Sequence, residues 1–196
     1  YQGDGTSGVY IWGAQLEQSS TANTYAATTA AASGAPRFDY DPVALTPKGL
    51  LIEETRTNLL PYSSDLSNAA WLKFNASITT AAGVAPDGTL TAQNLVENTT
   101  ASAPHWTGNY SGPTITSGVV YTVSFYAKAA GRNYISLQGD VTASRLGSYA
   151  VQWSLVDGSV AKNTGNLAVS STNVGNGWWR FTLTATANAS GTAYPG

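Results

Sequence analysis

Strict two-residue alternation in three separate runs constrains this chain more than any other feature. In YTVSFYAKA, Tyr121, Val123, Phe125 and Ala127 fall on one side, with Thr122, Ser124, Tyr126 and Lys128 on the other. In YAVQWSL, Tyr149, Val151, Trp153 and Leu155 alternate with Ala150, Gln152 and Ser154. In WWRFTLT, Trp179, Phe181 and Leu183 alternate with Trp178, Arg180 and Thr182. A pleated strand sends successive side chains to opposite faces, so each run predicts a strand with one face in a core. The second faces carry Tyr126, Lys128, Trp178 and Arg180, aromatic and cationic groups expected on a wet sheet surface.

With these runs included, strands are predicted over residues 8–17, 49–54, 72–80, 91–97, 105–110, 119–129, 134–140, 149–155 and 178–186, by their β-branched and aromatic content. Pro86-Asp87-Gly88, Gly112-Pro113, Ala130-Gly131, Asp157-Gly158 and Gly175-Asn176-Gly177 supply turns between them. Only 10% of the residues are charged, well below what a helical protein of this length carries. The expected fold is all-β, an antiparallel two-sheet jelly-roll sandwich with an extended N-terminal strand and arm.

Three segments follow from this reading. Residues 1–35 hold the first strand and a Ser/Thr/Ala-rich arm without apolar periodicity. Residues 36–60 form an extended anchoring segment, with Phe38, Tyr40 and Val43 set between prolines. Residues 61–196 form the sandwich. At 196 residues the chain has room for one such domain.

Charge and composition narrow the function classes. A net charge of −2, with nine Lys and Arg scattered along the chain, offers no footprint for a phosphate backbone, and nucleic acid is not an expected partner. There is no Cys, hence no disulfide framework or thiolate zinc site, and oligomerisation is one way to supply further stability. No apolar run reaches the roughly 18–20 residues of a membrane span, so no membrane insertion is expected. YQGDGTSGVY lacks the regions of a signal peptide, so any exit from a cell is expected by lysis or as part of a particle.

Catalysis finds little support. His105 is the single His, no Gly-x-Ser-x-Gly elbow surrounds any Ser, and imidazole metal ligation fails on the same count. A glycosidase needs two carboxylates, and the adjacent Glu53 and Glu54 point to opposite faces of a strand. Pairing of either with Asp140 or Asp157 is the one remaining arrangement, and solvated loop carboxylates are the simpler reading. No cofactor is expected; a structural calcium ion is conceivable at the turn oxygens of Asp4, Asp87, Asp157 and Glu17, although no Asp-x-Asp-x-Asp spacing marks its ligands.

Sugar binding has better residues. Tyr and Trp rings stack on the apolar faces of pyranoses, and amide, guanidinium and carboxylate groups read hydroxyls. The carbohydrate-binding candidates are Trp106, Tyr110, Tyr126, Tyr134, Trp178 and Arg180. For any single Trp of the six, core filling is the competing role.

Residues 37–60 (RFDYDPVALTPKGLLIEETRTNLL), YSSDLSNAAW, VAPDG, SFYAKAAG and VGNGWWRFTLT together resemble a family of phage and prophage tail-fibre or virion-associated proteins. The resemblance covers most of the chain and implies a virion address, a carbohydrate-binding-module-like jelly roll and a non-enzymatic role. By analogy it also implies a homotrimer, other virion proteins as partners, and host surface glycan as ligand. In that family the strand resembling GVYIWGAQLE follows the Gly-Asn-Gly-Trp-Trp-Arg strand, whereas here it stands at residues 8–17. A tandem-array fragment, a circular permutation and strand exchange with a neighbouring subunit each fit this order. Under strand exchange, residues 19–35 would span between subunits.

Overall fold

A computed structural model of the chain describes residues 3–28, 38–40, 47–50, 57–139 and 145–193. The described residues are all-β and contain no helix. The strands, in chain order, are β1 (Gly8–Glu17), β2 (Phe38–Tyr40), β3 (Pro47–Leu50), β4 (Trp71–Phe74), β5 (Ala76–Gly83), β6 (Ala92–Glu97), β7 (Trp106–Asn109) and β8 (Thr114–Ile115). They continue with β9 (Val120–Ala130), β10 (Tyr134–Gly139), β11 (Tyr149–Ser154), β12 (Val160–Asn163), β13 (Ala168–Gly175), β14 (Trp178–Thr186) and β15 (Gly191–Thr192).

One layer is a six-stranded sheet in the order β13-β14-β9-β1-β6-β5. The three-stranded β10-β11-β12 sheet and the β4-β7 pair are separate, and every paired ladder is antiparallel. Aromatic rings join the layers: Phe125 on β9 and Phe181 on β14 both meet Trp153 on β11, at centroid separations of 6.0 and 5.2 Å. Every inward residue expected from YTVSFYAKA and YAVQWSL is buried, and of the WWRFTLT set Phe181 and Leu183 are fully buried, with Trp179 half-buried against the core. The alternation therefore assigned the faces correctly.

The run predicted over residues 72–80 is two strands, broken where Asn75 takes a left-handed φ of 52°. Strands β2, β8, β12, β13 and β15 escaped prediction, β2 falling in the segment expected to be irregular. β13 (AVSSTNVG) is Ser/Thr-rich and pairs only with β14, so hydrogen bonding to a neighbour defines it more than its own propensity. The 49–54 prediction overlaps β3 at its first two residues, and residues 51–54 lie outside those described.

β1 lies inside its own chain's sheet. It pairs with β9 from Val9↔Ala129 to Glu17↔Thr122, and with β6 from Gly8↔Val96 to Ile11↔Gln93. A bulge between Trp12 and Gln15, where Gly13 has φ +62°, bends the strand while keeping Val9, Ile11, Ala14 and Leu16 in the core.

Residues 19–28 correct the expectation of an extended arm. They fold back across the outer face of the same sheet, held by side chains that satisfy backbone groups. Glu17 accepts from Asn23 N and Asn23 Nδ2, each at 2.7 Å, while Gln15 Oε1 accepts from Ala26 N at 2.9 Å. Asn58 donates to the carbonyls of Ala14 and Ala26, and Thr28 N donates to Ser63 Oγ at 2.9 Å. Short polar side chains do here what an apolar stripe does elsewhere. Residues 29–35 lie outside those described.

Candidate functional site

The outer face of the six-stranded sheet, expected to be wet, is covered over β1 and the adjoining half of β9. Besides residues 19–28, the turn containing Ala85 closes over one end. Trp178 is consequently 1% exposed, packed with Ala85 and Ala92, and its Nε1 donates to Val84 O at 3.1 Å. This corrects its place among the exposed sugar-stacking candidates: alternation puts it on the second face, but another segment covers that face. Tyr126 is half-buried in a ring cluster, 5.2 Å from Trp12, which in turn lies 4.6 Å from Tyr25. Arg180 lies over the Tyr126 ring, 5.4 Å from its centroid. Large aromatics at outward positions on β1, β9 and β14 were the signal that this face needed cover.

The other three candidates come together. A cleft of about 760 Å³ runs between β7 and β10, over the inner face of the six-stranded sheet. Residues 103–108 line one wall and residues 133–139 the other, consecutively, so the two strands present their edges and not just one face. Val9, Ile11, Val123 and Phe125 contribute to the floor. Trp106 and Tyr110 stand on the β7 side and Tyr134 on the β10 side, Tyr110 and Tyr134 being about half exposed at 48% and 56%.

Cross-strand pairing builds an aromatic ladder on the β7 side. Phe74 is opposite Trp106, their rings are near parallel at 5.8 Å and 16°, and Trp106 continues to Tyr110 at 6.2 Å and 24°. Phe74, absent from the sequence candidates, extends the platform. Its signal was the exposed apolar position opposite Trp106, visible only once β4 and β7 are paired.

At one end of the cleft the lining turns polar. Arg132 pairs with Glu97 and reaches Asp4 at 3.3 Å, and Glu97 also accepts from Asp4 N at 3.0 Å. The Arg132 guanidinium holds the Glu97 carboxyl below its ordinary value, burial acting in the opposite direction. His105 Nδ1–H donates to Asn75 O at 2.7 Å. Along β10 and β11, Gln138 and Gln152 add amide donors and acceptors to the lining. An apolar floor, stacked rings at the mouth and a few oriented polar groups suit a polyhydroxylated, partly apolar ligand.

The carboxylates considered for calcium are engaged locally. Asp4 caps its own turn through Thr6 N, Ser7 N and both hydroxyls, and these bonds hold its carboxyl far below the usual range. Asp87 accepts from Thr89 N, and Asp157 from Ser159 N and Oγ, which lowers the Asp157 pKa to about 2. No three acidic or His side chains converge on one point among the described residues. Glu97 is the one carboxylate lining the cleft among them. Glu53, Glu54 and Asp140 lie outside the described residues.

Compared with known proteins, the chain matches no family model and no curated sequence.

Proposed function

We propose that the cleft between β7 and β10 binds a segment of surface glycan, and that the domain serves as a non-catalytic module of a bacteriophage particle. Trp106 and Tyr110, stacked with Phe74 behind them, on one wall and Tyr134 on the other wall of an apolar-floored cleft of about 760 Å³ carry the binding half of this reading. Pyranose faces pack on such rings, while Gln138, Gln152 and Arg132 are placed to meet hydroxyls. The virion half rests on the resemblance of the sequence motifs to phage fibre and virion-associated proteins. A jelly-roll topology and assembly as a homotrimer with other virion proteins, as fibre, head decoration or tail appendage, belong to the same proposal.

An array of bacterial capsule and lipopolysaccharide glycans, followed by titration of any retained one, tests it. Trp106→Ala and Tyr134→Ala should each weaken retention by about tenfold or more, the equivalent of roughly 1.4 kcal/mol, without changing the melting temperature. Retention unchanged in both variants would sink the cleft as the site. Release of reducing ends from a retained glycan would replace the binding module with a depolymerase.

A further inference from the structure

The half of the sheet's outer face that residues 19–28 leave uncovered forms a second, chemically different surface. Three cross-strand pairs of β13 and β14 define it, Ala168 with Thr184, Ser170 with Thr182 and Thr172 with Arg180, while the next residues across on β9, Thr122 and Ser124, are buried. Between residues 20–22 and β13 lies a groove of about 340 Å³, floored by Ser170, Thr172, Thr182 and Thr184 with Arg180 at one end. Two of its hydroxyls are already aligned, Ser170 Oγ and Thr182 Oγ1 lying 2.6 Å apart, and Thr184 Oγ1 is 2.9 Å from the buried Thr122 Oγ1.

Arg180 is the group this groove leaves uncompensated. Its Nη2 donates to Asn23 O and to Ser124 Oγ, its plane lies over Tyr126, and no carboxylate pairs with it among the described residues. Its Nε is buried without a hydrogen-bond partner. Nη1 makes no hydrogen bond to another described residue. A guanidinium fixed by a carbonyl, a hydroxyl and an aromatic face, at the end of a row of hydroxyls, is oriented for a carboxylate that brings its own hydroxyls.

We propose that this groove binds an acidic sugar unit, a uronic acid or a similar carboxylated pyranose. Its carboxylate would meet Arg180, and its ring hydroxyls would meet Thr172, Thr182 and Ser170. The choice of a saccharide over another carboxylate rests on the glycan-binding reading above; the anion preference does not. The site is on the opposite face of the six-stranded sheet from the β7–β10 cleft, so a glycan could occupy both only by wrapping an edge or through neighbouring copies.

Amide chemical shifts of the full chain, titrated separately with sodium glucuronate, methyl glucopyranoside and sodium acetate, test this. Saturable shifts at Thr172, Arg180 and Thr182 with glucuronate, several-fold weaker ones with acetate and none with the neutral glucoside are expected. No shifts with glucuronate, or equal affinity for acetate, would overturn the assignment. Arg180→Gln should weaken glucuronate binding about tenfold and Arg180→Lys less. Because Arg180 also holds Asn23, Thr182→Val offers a second variant that leaves the guanidinium in place; unchanged affinity in it would count against hydroxyl recognition. Trp106→Ala should leave these shifts intact, so that failure of the cleft and failure of the groove are read separately.

Discussion

Trp178 Nε1 donates to Val84 O at 3.1 Å, tying the strand that carries the most conspicuous aromatic pair in the sequence to a turn about ninety residues away. With 1% of its surface exposed, Trp178 is a structural element of the covered outer face. Trp178→Ala should therefore cost about 3–5 kcal/mol of stability, as large-to-small changes at buried aromatics do. Denaturant titration measures it. A variant of unchanged stability that nevertheless lost glycan retention would return Trp178 to the binding surface.

Asn58 spends all its hydrogen-bonding capacity on the backbone. Its Oδ1 accepts from Leu16 N at 3.1 Å and Leu60 N at 3.0 Å, and its Nδ2 donates to Ala14 O and Ala26 O. It joins β1, the folded-back segment and the chain before β4 at a point 1% exposed. Asn58→Leu should cost about 2–4 kcal/mol, since each stranded buried group costs about 1–3 kcal/mol. Limited proteolysis should then cut within residues 19–28 well before the rest of the domain.

The Glu97 carboxyl has its pKa lowered from 4.5, first by the Arg132 guanidinium. A carboxylate with a depressed folded-state pKa stabilises above its unfolded value, and that contribution is lost as pH falls through the folded value. Stability should decline on acidification below about pH 4.5, the unfolded reference. Glu97→Gln should flatten that decline and cost about 1.5–3 kcal/mol at neutral pH, the worth of hydrogen bonds to a charged group. Thermal melts across a pH series compare the two; parallel profiles would exclude Glu97 as a source of the acid sensitivity.

Gly13 sits in the β1 bulge with φ +62°, and a Cβ there would come within 3.0 Å of the Tyr126 ring. Gly13→Ala should cost at least about 1–2 kcal/mol for the left-handed backbone alone. A lowered melting temperature with altered Trp fluorescence, since Trp12 and Tyr25 pack at the same point, is the expected result.

β1 pairs within its own chain, so its amide protection should be independent of protein concentration. Hydrogen exchange at Val9, Ile11 and Leu16, measured over a wide dilution series together with light-scattering mass, checks this. Protection lost on dilution alongside a falling mass would place the strand in a neighbouring subunit instead.

Much of the fold is legible from local pattern. The runs at 121–127, 149–155 and 179–183 name the buried faces because alternation follows from pleating alone. The extent of β1 was also readable, ten residues of β-favouring sequence with a turn before them. Trp106, Tyr110 and Tyr134 were identifiable as aromatic candidates, but nothing local told that they would meet at one cleft while Trp178 and Tyr126 would not. Pairing of β4 with β7 supplied Phe74 to the ladder, and the gap between two strand edges supplied the cleft.

By itself, then, the sequence determined that this protein is built of antiparallel strands and which side of each central strand faces the core, because those properties depend on neighbours one or two residues apart. Only the tertiary structure decided which second face stays open. Cover came from residues 19–28 and the Ala85 turn, segments with no apolar periodicity, ordered by hydrogen bonds such as those of Asn58 and Ser63 to groups distant in the chain. Such bonds form only after the strands have brought their partners together, so a local pattern carries no trace of them.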